Sequence, residues 1–250
     1  MAQLMRTSNP ALNQKIFQGE HVAFDEAMTL NGTINKTGIL LLCTVSTAAW
    51  AWHGFMQTHS ATSVLPLLWT GLIGGMIFAF ITIFKKTWAP VTAPIYALLE
   101  GLVLGSISAV FELRFPGIAM QSVALTFGTM FVLLFAYRSG LIPVTQKFRL
   151  GVVAATGAIM LFYVAQMLLG FFGVRFSSIN GSGMVGIAFS VAVVIVAALN
   201  LVLDFDFIES GVRARAPKYM EWYSAFGLMV TLIWLYLEIL RLLSKTRSRN

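Results

Sequence analysis

Seven long apolar runs, separated by short polar connections, dominate the pattern of hydrophobic and polar positions along the chain. They are Gly38–Met56, Val64–Phe84, Pro90–Phe111, Ile118–Tyr137, Leu150–Val174, Met184–Leu203 and Trp222–Leu243. A helix needs about 20 apolar residues to cross a hydrocarbon core of about 30 Å, and each run has about that length. The runs lack the alternation of polar and apolar residues that outer-membrane barrel strands show. The pattern therefore predicts an all-α membrane protein with seven transmembrane helices.

The composition supports a membrane protein and leaves no room for a second folded domain. Of the 250 residues, 58% are hydrophobic and 11% are charged, whereas a soluble domain carries about 25% charged residues. We expect a cytoplasmic N-terminal tail over residues 1–37, a transmembrane domain over residues 38–244 and a short basic tail over residues 245–250. The single cysteine, Cys43, lies inside the first run and has no second cysteine with which to form a disulfide.

Lysine and arginine residues accumulate on alternate connections. Eleven lie in the N-terminal tail and in the 2–3, 4–5 and 6–7 connections, against two in the connections on the opposite side. Because cytoplasmic loops carry an excess of these residues, the N-terminus is predicted to be cytoplasmic. Four more lie near the C-terminus, on the side that seven crossings place outside: Arg241, Lys245, Arg247 and Arg249. Either late charges are tolerated there, or the last helix re-enters; its length favours seven crossings.

Three acids end the sixth run: Asp204, Asp206 and Glu209. An aspartate costs about 2.5–3.5 kcal/mol at the centre of an inserted helix, so acids in such a run need an explanation. Asp204 shares a helix face with Asn200, while Asp206 lies about 200° away on the helical wheel. If the shared face looks inward, Asp204 is buried and Asp206 points to the headgroups or loop. The alternative is an ion network at the helix end, with Arg213, Arg215 and Lys218 as the cations.

Two further acids lie inside predicted helices. Glu100 is about ten residues from either end of the third run, where a carboxyl group is expected to face the bundle interior. It is either a proton or cation site, or a partner in an interhelical hydrogen bond to Gln166 or Asn200. Glu238 is the only acid in the seventh run, and Arg241, three residues later, is positioned to pair with it.

Small residues at four-residue spacing predict close helix packing. The pairs are Gly71–Gly75, Gly101–Gly105 and Gly186–Ser190. Small side chains let the backbones of two helices approach each other, which is a packing role and assigns no activity by itself.

Signatures of enzymes and of nucleic-acid binding do not appear. The stretch "NGSGM" at residues 180–184 is superficially similar to the serine loop of rhomboid proteases, but all three histidines precede it. A retinal protein needs a lysine midway along the last helix, and the nearest one, Lys245, is predicted to lie past its end. The net charge of +7 is spread over loops and tails, as membrane topology requires. We expect neither an enzyme nor a resident cofactor.

The stretch "LVLDFDFIESG", followed by "YMEWYSAFGLMVTLIWLYLEILRLLS", resembles the Bax inhibitor-1 family, the transmembrane Bax-inhibitor-motif proteins. The N-terminal pattern "RTSNPAL…NGTINKTGILLL" resembles the bacterial branch, and the resemblance extends over residues 6–244. It implies a seven-helix fold in a bacterial inner membrane, with the last helix central and wrapped by the other six. It also implies a pH-sensitive calcium leak gated by two aspartates near the cytoplasmic ends of helices 6 and 7.

The resemblance assigns roles to particular residues. In "LDFD", Asp204 matches the family's helix 6 aspartate, and Asp206 stands where the family has an amide. Thr231 replaces the second aspartate, and Glu238 lies seven residues later on the same face, about 10 Å further along the axis. The two family aspartates titrate as a coupled pair, so the pair lacks its second carboxylate here.

Two lysines are the candidates for a counter-charge. Lys85 and Lys86 fall near the family's helix 2 arginine, which can take the helix 6 aspartate as an alternative partner. A calcium ion prefers several hard oxygen ligands. Asp204, Asp206 and Thr231 could supply them together with loop carbonyl groups.

Two hypotheses about function follow. The first is a pH-modulated cation leak, with calcium or protons as the ions, Asp204 as the gating carboxylate, and Asp206 and Glu100 as accessory sites. The second is a non-conducting membrane factor that binds and regulates other membrane proteins, which suits the incomplete aspartate pair.

Overall fold

The protein is described by a computed structural model that covers residues 27–58, 61–173 and 177–249. Most of the predicted N-terminal tail, residues 1–26, lies outside the described residues, as do His59 and Arg175.

Seven long helices account for nearly all of the described chain. They are α1 (Leu30–Thr58), α2 (Ala61–Phe84), α3 (Ala89–Arg114), α4 (Ile118–Arg138), α5 (Gln146–Phe171), α6 (Met184–Arg213) and α7 (Met220–Arg249). A 3-10 turn at Lys86–Trp88 and one helical turn at Ser177–Asn180 lie in the connections. All seven helices are long and apolar enough to cross a membrane. The described residues form no strand, only an isolated bridge between Ala27 and Pro217. The predicted all-α fold with seven membrane-spanning helices is confirmed.

Several helices extend beyond the apolar runs that predicted them. Helix α1 begins at Leu30, eight residues before the predicted start, and the Gly32 amide donates to the Thr29 hydroxyl at 2.9 Å. Helix α7 continues through the residues expected to form a basic tail and ends at Arg249. The prediction that Lys245 lies past the last helix is wrong. Polar residues at a helix end carry no hydropathy signal, so an apolar run shows only the part of a helix that crosses hydrocarbon.

The described chain divides into two compact units. The first contains residues 120–205 and 231–249, and the second contains residues 27–119 and 206–230. The first unit therefore holds α4, α5 and the larger parts of α6 and α7. The second unit holds α1, α2 and α3 with the end of α6 and the start of α7.

Glycines allow the close helix packing of the second unit. A Cβ at Gly101 would overlap the Thr44 carbonyl oxygen of α1, and a Cβ at Gly105 would overlap the Ala48 carbonyl oxygen. A Cβ at Gly71 of α2 would lie 2.6 Å from the Leu99 carbonyl oxygen of α3. The packing role predicted for these glycines is confirmed: each lets the backbone of its helix lie against the backbone of a neighbouring helix.

The last helix is the most buried of the seven. In its most apolar 18-residue window 67% of the residues are buried, against 50% in α3 and 6% in α5. The more specific arrangement, with the other six helices wrapped around the last one, stays a prediction.

Candidate functional site

Asp204 is a buried carboxylate in the second half of α6, which continues to Arg213. Its side chain is 2% exposed. The Thr231 hydroxyl of α7, itself buried, donates a hydrogen bond to this carboxylate. The second carboxylate oxygen, Oδ2, has no hydrogen-bond partner among the residues that the structure describes. The structure thus brings together the two residues that the family resemblance aligned with the paired aspartates, as a carboxylate and a hydroxyl.

The other two acids of this helix end have different surroundings. Asp206 is half-buried. Glu209 has a side chain that is 48% exposed and lies 3.3 Å from the Arg213 guanidinium, one helical turn later. The prediction that Asp204 is the buried member of the cluster is confirmed. Of the ion network expected as the alternative, the pair between Glu209 and Arg213 is present, whereas Asp204 is buried.

Asn200, one turn before Asp204, joins α6 to α5. Its amide nitrogen donates to the Thr156 hydroxyl and to the Val196 carbonyl oxygen, both at 2.8 Å. The Thr156 hydroxyl donates in turn to the Val152 carbonyl oxygen at 2.8 Å. The face shared by Asn200 and Asp204 therefore carries polar contacts to a neighbouring helix, as its sequence pattern indicates.

Glu100 makes a different contact from those predicted. It is half-buried, and its hydrogen bond comes from the Tyr96 hydroxyl one turn earlier on α3. Its carboxylate also packs against Gly75 of α2, where a Cβ would lie 3.0 Å from Oε1. The hydrogen bond that the structure shows for Glu100 thus comes from its own helix, and the expected bond to Gln166 or Asn200 stays a prediction.

Glu238 forms a closed group with two neighbours in the first unit. The Arg241 guanidinium lies 3.1 Å from Oε1, and the Tyr163 hydroxyl of α5 donates to the same oxygen at 2.9 Å. Arg241 also donates to the Tyr163 oxygen at 2.7 Å. The predicted pairing of Glu238 with Arg241 is confirmed, so this carboxylate is neutralised by its own helix.

The two candidate counter-charges lie at the connection between α2 and α3. Lys85 is exposed and Lys86 is half-buried. The Lys86 ammonium lies 5.9 Å from the centroid of the Tyr223 ring, within the distance of a cation–π contact. Their role as partners of Asp204 stays a prediction. Among the described residues no group of three or more His, Cys, Asp and Glu side chains could hold a metal ion.

Comparison with known proteins decides the family. A family model described as "Bax inhibitor 1 like" matches residues 9–248, which is nearly the whole chain. The chain belongs to this family. The comparisons with curated proteins and with solved structures found no match.

This Bax inhibitor 1 like protein also has a buried acid that sequence reasoning missed. Glu221, in the first turn of α7, is fully buried and accepts from the Thr29 amide at 2.8 Å and from its hydroxyl at 3.0 Å. Lys36 forms an ion pair with it, and the Lys218 ammonium lies 3.3 Å away. One carboxylate thereby caps the start of α1 and pairs with two lysines. The sequence did not predict these contacts with Thr29 and Lys36, because the two residues lie about 190 positions earlier in the chain.

Lys245 is the second residue that was missed. It is 7% exposed, and its ammonium donates to the carbonyl oxygens of Ile179 and Gly186 and to the Ser190 hydroxyl. Here a signal existed: Lys245 follows Glu238 by seven residues, so both lie on one face of α7.

Proposed function

We propose that this protein is a pH-modulated cation leak channel that conducts calcium, with Asp204 as its gating carboxylate. The observation that carries the proposal is the state of that carboxylate. It is buried, one oxygen accepts from the Thr231 hydroxyl, and the other has no hydrogen-bond partner within the described part of the chain. Membership of the Bax inhibitor 1 like family supports the same proposal.

The incomplete bonding of Asp204 gives a physical basis for gating. A buried polar atom without a partner is costly, so binding of a proton or of a cation at Oδ2 lowers the free energy of the site. Proton and cation compete for the same oxygen. Changing pH therefore changes which species occupies the carboxylate, and occupancy is what the gate responds to.

Calcium fits this site as a passing ion. A resident calcium site takes about six to eight oxygen ligands, whereas the Asp204 carboxylate and the Thr231 hydroxyl offer three. An ion channel needs binding that is favourable enough for entry and weak enough for release. Asp206 and Glu100 are proposed as accessory polar sites, and Lys85 or Lys86 as the counter-charge that holds Asp204 in the closed state.

The membrane and the orientation belong to the same proposal. We place the protein in a bacterial inner membrane with its N-terminus in the cytoplasm, because eleven lysines and arginines lie on that side against two on the other. Asp204, in the second half of α6, then lies toward the cytoplasmic mouth.

A second candidate function rests on Thr231. A hydroxyl in place of the second aspartate removes the coupled pair on which gating in the family is expected to depend. The protein would then be a non-conducting factor that binds and regulates other membrane proteins. This candidate requires a stoichiometric partner and no ion flux.

Calcium flux into proteoliposomes separates the two functions. The purified protein is reconstituted, and entry of calcium is followed with an internal indicator over a pH series around neutrality, with protein-free vesicles as the control. The leak proposal predicts protein-dependent flux whose rate changes with pH. Flux equal to that of empty vesicles at every pH, together with a stoichiometric partner in a pull-down from the native membrane, would favour the regulatory factor.

A further inference from the structure

The ammonium group of Lys245 occupies a complete set of oxygen ligands. Its three N–H donors are all used, at 2.8 Å to the Ile179 carbonyl oxygen, 3.1 Å to the Gly186 carbonyl oxygen and 2.9 Å to the Ser190 hydroxyl. All three acceptors are uncharged. We call this set of oxygens, from Ile179, Gly186 and Ser190, the oxygen cradle.

The backbone around the cradle is folded tightly. Gly186 lies in the first turn of α6, and a Cβ there would overlap the Gly181 carbonyl oxygen. Only glycine therefore lets the chain before α6 fold back and bring the Ile179 and Gly186 carbonyl groups toward one point. The third ligand, Ser190, is 1% exposed. The cradle is built by the fold of the first unit rather than assembled by mobile surface side chains.

The nearest charged groups on α7 are already engaged. Glu238, two turns before Lys245, is bonded to Arg241 and to Tyr163. The charge of Lys245 is therefore held by neutral oxygens, and no described residue forms an ion pair with it. Carbonyl and hydroxyl oxygens that replace a hydration shell are the ligands that channels use for monovalent cations. Oxygen distances of 2.8–3.1 Å exceed the roughly 2.3–2.6 Å of calcium sites.

We propose that the oxygen cradle is a binding site for a monovalent cation, such as potassium or ammonium, and that Lys245 fills it as a tethered cation. The lysine thereby occupies a site that a free ion would otherwise enter, between the start of α6 and the end of α7. This inference does not depend on the proposed leak, because it concerns binding to the purified protein.

A matched pair of variants tests the cradle. Lys245→Ala leaves the cradle empty, whereas Lys245→Met fills the same space with an uncharged chain. Thermal unfolding in detergent is measured in potassium chloride and in N-methylglucamine chloride at equal ionic strength. For Lys245→Ala we expect a saturable rise in Tm, about 3–6 °C at ten times the dissociation constant of potassium. Wild type and Lys245→Met should show no such rise.

The contribution of Ser190, the third oxygen of the cradle, is tested in the Lys245→Ala variant. Adding Ser190→Ala to Lys245→Ala should weaken the potassium effect, since one of three oxygens is lost. If Lys245→Ala responds to potassium no more than Lys245→Met does, Lys245 is only a clamp between helices and the proposal is overturned. An unchanged potassium affinity in the double variant would overturn the assignment of Ser190 as a ligand.

Wild-type protein provides a measurement that does not depend on folding of the variants. An amine-reactive reagent is applied, and labelling is read residue by residue by mass spectrometry, with the exposed Lys85 as the control. Potassium that competes for the cradle should release Lys245 and accelerate its labelling several-fold relative to N-methylglucamine, with Lys85 unchanged. Equal labelling rates of Lys245 in the two salts would contradict the proposal.

Discussion

Three buried carboxylates of this protein differ in what compensates their charge. Glu221 has two lysines and a helix start, and Glu238 has an arginine and a tyrosine. Asp204 accepts from a threonine hydroxyl, and its other oxygen has no partner in the described ranges. Structural carboxylates are paired in this way because an unpaired buried charge is costly. The exception is the residue whose carboxylate we expect to exchange a proton or a cation.

Glu100 gives a prediction at the residue scale. Glu100→Gln keeps an acceptor for the Tyr96 hydroxyl and fits beside Gly75, so we expect expression and thermal stability close to those of wild type. Glu100→Lys places an ammonium group against α2 and removes the acceptor of the Tyr96 hydroxyl. It should therefore lower the yield of folded protein. The measurement is monodispersity and Tm of both variants in detergent. Equal behaviour of the two would mean that this side chain faces water.

At the scale of helices, the packing of α1 on α3 depends on glycine. A Cβ at Gly105 would overlap the backbone of Ala48. A helix backbone cannot shift aside as easily as the end of a flexible side chain. Gly105→Ala should therefore destabilise the protein by about 1–3 kcal/mol. The matched control is Gly151→Ala on α5, where nothing lies within 4 Å of the new methyl group, and a gain of about 0.4–1 kcal/mol is expected. Thermal unfolding compares them, and equal losses would contradict the packing argument.

The helices themselves were predictable, and their ends and contacts less so. Seven runs of apolar residues suffice to predict seven spans, because hydrocarbon thickness fixes the length that each helix needs. The burial of Asp204 was expected on the condition that the face it shares with Asn200 looks inward. The role of Glu221 did not follow from anything local, since Thr29 and Lys36 meet it only in the folded chain. The Tyr96 bond to Glu100 could have been read from their four-residue spacing.

At the scale of the whole molecule, the contacts at the two ends of α7 fit a helix that crosses the membrane. Its first turn holds Glu221, which contacts Thr29 and Lys36 at the start of α1. Its last turns hold Lys245, which contacts the start of α6, and Arg247, which donates to Gln121 near the start of α4 at 2.7 Å. The starts of α4 and α6 thus lie beside the end of α7, as successive crossings require.

Reporter fusions test this topology. We expect fusions near residues 145 and 215 to report the cytoplasm, because each of these connections carries three basic residues. Fusions near residues 60 and 178 and at the C-terminus should report the opposite side. A cytoplasmic signal from the C-terminal fusion would contradict the seventh crossing and would leave the assignment of the N-terminus intact.

The central claim, that Asp204 gates a pH-modulated cation leak, is tested most directly by calcium flux of Asp204→Asn in proteoliposomes. Glu209→Gln is the matched control, because Glu209 lies on the same helix and its side chain is half exposed. Asparagine keeps the shape of the side chain and removes the group that binds a proton. The account predicts that Asp204→Asn loses the pH dependence of flux around neutrality while Glu209→Gln retains it, and that Thr231→Asp, which restores a second carboxylate, alters the profile. An Asp204→Asn profile that superimposes on that of conducting wild-type protein would contradict the account.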